Sequence, residues 1–186
     1  MVQLKDIATI QTGVYIKPSP HAETLYLQLS DFDKDGNFIE RIVTYVSIPE
    51  KNNKHLLSSK DLLFAAKGNK NICLITPETN KACVASPSFI VIRIKNKEKI
   101  LPEYVAWYLN SPIIQNLFAS HALGSAIKSI TKNVLEDLEI PIPSVERQKA
   151  YIALDQLQKQ EQNIYKIIAE KRKQILDYKM IKNIGL

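Results

Sequence analysis

The sequence predicts an α+β fold: an irregular, mostly antiparallel sheet with short helices over residues 1–143, then one long C-terminal coiled-coil helix over residues 144–186. Three observations point there. Between residues 24 and 94, short apolar runs alternate with stretches rich in Asn, Asp, Lys and Pro, which is the punctuation of strands and turns. Pro102 and Pro112 stand where the first residue of a helix stands, a position that tolerates proline because its N–H has no intrahelical partner. From Ser144 to Asn183 nothing breaks a helix, and apolar residues recur at steps of three and four.

In chain order, Leu4, Ile7, Ala8 and Ile10 fall at helical spacing and stop at Gly13, predicting two helical turns closed by a left-handed glycine. Residues 14–20 read as loop. Leu25, Leu27 and Leu29 alternate with Tyr26 and Gln28 as a strand does, residues 31–37 are turn-forming, and residues 38–47 return, which together make a hairpin with a polar tip. Residues 62–66, 72–75 and 89–94 are further apolar runs, of which the last two are rich in β-formers. Residues 103–109 and 113–121 read as helices, the second behind Ser111 as N-cap, and a third starts at Thr131 and runs through Val134, Leu135 and Leu138.

Pro141 and Pro143 then fix φ and bias Ile140 and Ile142 to extended geometry, so no helix continues through them. They form a stiff joint. Ser144 follows as N-cap, with Glu146 in the first turn facing the positive end of the helix dipole. The helix beyond would be roughly 60 Å long at 1.5 Å per residue. Leu154, Leu157, Ile164, Ile168, Ile175 and Tyr178 lie along one seam, with Glu161 and Lys171 as polar members that cost stability but can fix register. Such a seam is expected to meet a helix of the same kind; the alternative is a helix folded back on its own domain.

The composition suits a folded chain: 45% of its 186 residues are hydrophobic, 24% are charged and 5 are glycine. A net charge of +6 favours an acidic partner such as nucleic acid. Residues 144–183 hold nine Lys or Arg against five Asp or Glu, so +4 of that excess lies on the long helix, as a solubilising face around the seam. Cys73 and Cys83 lack CxxC spacing and read as reduced, buried thiols. The first residues lack the pattern of a signal peptide, and no apolar run approaches the ~18 residues of a membrane span, so a cytoplasmic protein with no membrane contact is expected.

Signs of chemistry are sparse. Asp31, Asp33, Asp35 and Gly36 have the spacing of a calcium loop, yet Ile42 stands where the bidentate glutamate belongs and Glu40 comes too early, so an acidic hairpin turn is the better reading. SPSF at residues 86–89 glances at the base-holding motif of amino-methyltransferases, but it lacks the second proline and any glycine-rich cofactor loop; the start of a strand fits better. His21, His55 and His121 are scattered. No catalytic residue, metal site or cofactor is expected. Three loops do suit DNA: GVYIK (13–17), KGNKN (67–71) and GSAIKSITK (124–132). Lysine neutralises phosphate, glycine admits a close backbone, and asparagine can address an adenine edge. Tyr15, Lys17, Lys67, Asn69, Lys70, Ser125 and Lys128 are the candidate DNA-facing residues.

With these pieces placed, LKDIATIQTG, LYLQLSDFDKDGNF, LLSSKDLLFAAKGN, SPSFIVIRI, LPEYVAWYLNSPIIQ and ALGSAIKSITKNVLEDLEIPIPSVERQ occur in that order over nearly the whole chain. In these stretches the chain resembles one half of the specificity subunit of type I restriction–modification enzymes. It departs from the family at Ser144, where a further proline is frequent, and at Arg147, inside what is usually a Glu-Gln pair. The resemblance implies a target-recognition domain reading one half of a split double-stranded DNA site, and a conserved helix that packs antiparallel against another as a ruler. It also implies separate modification subunits that carry the methyl donor and adenine-N6 methylation, and a motor–nuclease restriction subunit. A chain with one such unit would work as a homodimer. Two other readings stay open: the recognition fragment of a larger methyltransferase or nuclease, and a coiled-coil adaptor without a nucleic-acid role.

Overall fold

The computed structural model describes residues 1–19, 21–33, 36–39, 44–67, 71–122 and 129–184. The chain divides into two compact units, Met1–Gln148 and Lys149–Leu186.

The first unit is α+β. Its main sheet has the order β2 (Ala8–Thr12), β8 (Phe89–Ile94), β5 (Leu62–Ala65), β6 (Cys73–Ile75), all neighbours antiparallel. A second sheet sets β3 (Thr24–Leu27) between β4 (Tyr45–Val46), antiparallel, and β7 (Cys83–Ala85), parallel. One face of β5 and β8, with Leu63, Ala65, Phe89 and Val91, packs on Leu25, Leu27, Phe32 and Ala85 of the second layer. Residues of the opposite parity, Leu62, Phe64, Ile90 and Ile92, are also buried. There Phe64 meets Phe118 edge-on, with ring centroids 5.2 Å apart. A strand covered on both faces shows a continuous apolar run rather than alternation, so LLFA is a strand although its composition is not β-rich. Each such fully buried Leu or Phe contributes on the order of 1.5–3 kcal/mol.

Helices α2 (Pro102–Asn110) and α3 (Pro112–Ala122) form where the prolines announce them. In α4 (Lys132–Glu136) the Thr131 hydroxyl accepts from the Val134 N–H. The N-terminal strand β1 (Val2–Gln3) pairs antiparallel with β9 (Glu139–Ile140), Val2 opposite Ile140, so the first and last strands of this unit lie side by side. Between β5 and β8, Arg93 grips the fully buried Asp61 carboxylate at 2.6 Å and also donates to the Leu56 carbonyl.

The N-terminal segment departs from the helical expectation. Helix α1 covers Leu4–Ile7 alone, and β2 follows at once. Ala8 and Ile10 are buried while Thr9 is exposed. That alternation, with β-branched Thr9, Ile10 and Thr12, suits the edge of β8 better than two more helical turns. Gly13 is not a left-handed cap.

The proline joint is fastened within the first unit. Tyr104 donates its hydroxyl to the Pro141 carbonyl at 2.8 Å. Gln148, wholly buried, accepts from the Leu101 N–H and donates to the carbonyls of Lys99 and Pro143, each at 2.9 Å. Helix α5 (Val145–Ile184) starts here, with the Ser144 Oγ 3.5 Å from the Arg147 nitrogen, and its remaining turns, about ten, belong to the second unit. Among the described residues no helix is long and apolar enough to cross a membrane.

Candidate nucleic-acid interface

Strand polarity gathers the candidate loops. β2 and β5 both end where β8 begins, since Thr12 lies opposite Ile90 and Ala65 opposite Phe89. β6 starts at that same end, with Cys73 opposite Phe64. Residues 13–17 and Lys67 therefore leave the sheet from one end.

The residue 13–17 segment is anchored by alternate side chains. Ile16 is buried with Tyr26, Val46 and Val84, and Val14 packs on the same cluster. The Tyr26 hydroxyl donates to the Val14 carbonyl at 3.1 Å, and burial pushes its pKa up. Opposite parity then turns Tyr15 and Lys17 outward, and Tyr15 is 73% exposed. The alternation in V-Y-I-K was the legible signal for this.

Lys67 is exposed and forms an antiparallel bridge with Ser129, while the Ile130 N–H donates to the Ala66 carbonyl at 3.0 Å. The second and third candidate loops thus share a stem. On the other side of the second loop, the Asn71 amide donates to the Ala65 carbonyl, and Gln115 of α3 donates to the Asn71 carbonyl. Asn71 is occupied as a brace. Asn69, Lys70, Ser125 and Lys128 lie outside the described residues.

Four lysines of the far end are engaged differently. Lys95 donates to the carbonyls of Lys5 and Asp6 at the end of α1, and Lys97 to that of Ser59. Lys5 pairs with Asp137 at 2.7 Å and Lys60 with Glu103 at 2.8 Å. A cleft of about 590 Å³ near this end is lined by Lys60, Lys81, Glu78 and Glu103, but Lys81 lies on Tyr45, its ammonium 2.6 Å from the phenolic oxygen. Among the described residues neither Lys17 nor Lys67 has an ion-pair partner. Cations held by carboxylates or carbonyls are poor phosphate contacts, whereas unpaired ones release counterions on binding. The loop end is the stronger candidate.

The acidic turn closes on itself. Asp31 accepts from the Gln28 N–H at 2.7 Å, and Asp33 accepts from both the backbone and the amide of Asn37. Gly36 takes φ 87° to make the turn. Both carboxylates serve as turn acceptors; Asp35, Glu40 and Ile42 lie outside the described residues. Cys73 and Cys83 are free and buried, and burial raises both thiols, that of Cys83 to about 11, so neither is a nucleophile at neutral pH.

Residues 1–175 match the family model described as the type I restriction modification DNA specificity domain. The chain belongs to this family. Solved type I structures share the fold of this specificity domain. A chain from work on complex assembly and conformational transition of the type I R-M system matches with a TM-score of 0.66 and 22% identity, over 91% of this chain and 40% of its own. The HsdS subunit from Thermoanaerobacter tengcongensis gives 0.60 and 22%, over 86% and 37%. A type I restriction–modification S subunit from M. genitalium gives 0.55 and 15%, over 92% and 42%. At these identities the likeness is one of fold, and the specificity domain spans about two-fifths of the length of these chains.

The seam residues are all on α5. Leu154, Leu157, Ile164, Ile175 and Tyr178 are 56–67% exposed and Ile168 is 40% exposed. Residues missed from sequence are those whose side chains bind backbone groups, namely Gln148, Asn110 and Gln115. Polar side chains that bind distant carbonyls leave no periodic trace.

Proposed function

We propose that this chain is the non-catalytic, cytoplasmic DNA-specificity subunit of a type I restriction–modification enzyme. Residues 1–143 read one half of a bipartite site, and residues 144–186 form the spacer and pairing helix. Two copies join through Leu154, Leu157, Ile164, Ile168, Ile175 and Tyr178. Two-fold symmetry then gives identical readers an interrupted palindrome as target. The Pro141/Pro143 joint sets the angle of each reader to its helix, and the helices set the separation. Methyl transfer to adenine N6 takes place on docked modification subunits, and cleavage on a restriction subunit.

The observation that carries this reading is the family match over residues 1–175, joined to a sheet end that presents Tyr15, Lys17 and Lys67 outward. Asn69, Lys70, Ser125 and Lys128 complete the proposed DNA-facing set. Mapping N6-methyladenine in cells whose sole specificity chain is this one tests target, symmetry and spacing together. A symmetric, interrupted motif is expected; an asymmetric motif rules out the homodimer, and no motif dependent on this chain rules out the specificity role.

A further inference from the structure

The turn linking β7 to β8 lies at the centre of the loop end. Ser86 is buried, its N–H donates to the Leu27 carbonyl at 2.9 Å, and its own carbonyl accepts from Phe89. The hydroxyls of Ser86 and Ser88 are 2.7 Å apart, closing the turn across Pro87. Both sets of candidate contacts hang from this turn. The Val14 N–H donates to the Ala85 carbonyl and the Gly13 N–H to that of Phe89, each at 2.9 Å, which holds the residue 13–17 segment. From the other side the Ala66 N–H donates to the Ser88 carbonyl at 3.0 Å, and Ala66 is the residue that accepts from Ile130. Gly13 sits so close that a Cβ would lie 2.1 Å from the Ser86 carbonyl oxygen and 2.6 Å from that of Ala85. Any side chain there must move backbone.

We propose that Ser86, Ser88 and Gly13 are positioning residues for DNA reading: the hydroxyl-closed turn, seated on a glycine, fixes Tyr15 and Lys17 at a set distance from Lys67. The inference rests on the DNA-specificity reading above and deepens it. Phosphate contacts tolerate small shifts because charge attraction is long-ranged; base-edge hydrogen bonds do not. Loosening the turn should therefore lower discrimination between sites while sparing general DNA affinity.

The test uses the full chain with its modification subunits, comparing methylation of the preferred site with that of sites differing by one base pair. Ser88→Ala is expected to reduce the preference about tenfold, of the order one base pair carries, with low-salt binding to random DNA and the thermal midpoint kept. Ser88→Thr retains the hydroxyl and is expected to keep the preference. Gly13→Ala is expected to lose it as far as the protein folds. An unchanged preference in Ser88→Ala overturns the positioning role, and so does a loss that merely follows the fraction of unfolded protein. A wild-type complex with no site preference is a different failure, of the DNA-specificity reading itself, and the inference falls with it.

Discussion

Asp31 shows how a single residue couples structure to pH. Burial raises its carboxyl above the ordinary 3.8, against the opposing hydrogen bonds from the Gln28 N–H and the Ser30 hydroxyl. The folded form therefore holds its proton at a pH where the unfolded chain has released it. Its contribution to stability grows as pH falls through the folded value and levels off near the unfolded one. Asp31→Asn removes this term. Urea midpoints taken from about pH 7 to about pH 4 should show wild type gaining on the variant as pH falls; a constant difference would contradict the buried-charge account. Gly13 teaches a related lesson about legibility. The sequence marks it as a helix stop, because a glycine after Leu4, Ile7, Ala8 and Ile10 looks like a cap. Its actual constraint is a carbonyl from residue 86, which no local pattern can announce.

Among elements, the stretch that joins β9 to α5 depends on one buried amide. Gln148 satisfies the Leu101 N–H and the Lys99 and Pro143 carbonyls at once. Gln148→Ala leaves these groups without that partner and should cost about 2 kcal/mol in chemical denaturation, within the ~1–3 kcal/mol penalty for an unsatisfied buried group. A loss below about 0.5 kcal/mol would mean that water replaces the amide readily. The prolines made the break between elements readable, whereas the glutamine that secures it looked like one more polar residue at a helix start. Helices α2 and α3 were legible for the same reason as the joint, since proline acts locally. β5 was obscured because burial on both faces removes the period-two signal. Asn110 also acts between elements: its amide pairs with both backbone groups of Cys73 at 2.8 and 2.7 Å, standing in for a further strand beside β6.

For the whole molecule, the proposed pairing turns on the seam of α5. Ile164→Glu with Ile168→Glu places like charges at adjacent seam layers while leaving the residues of the first unit unchanged. Sedimentation equilibrium at micromolar concentration should then report one copy where wild type reports two, with the unfolding midpoint of the first unit retained. A wild-type protein that sediments as one copy would remove the self-pairing. The long helix was plain in the sequence, because an unbroken helical period needs no knowledge of the remainder of the fold. The common origin of the first two loops was not, since it follows from the polarity of β2, β5 and β8, and the third joins them through the Lys67–Ser129 bridge.

The pairing of Val2 with Ile140 bears on how the chain is made. A ribosome delivers residue 2 long before residue 140, so the N-terminal strand must wait, unpaired, while the intervening sheet layers assemble. Such closure between distant partners is slow compared with local turns and helices. The first unit therefore completes its fold only once β9 and the proline joint have emerged.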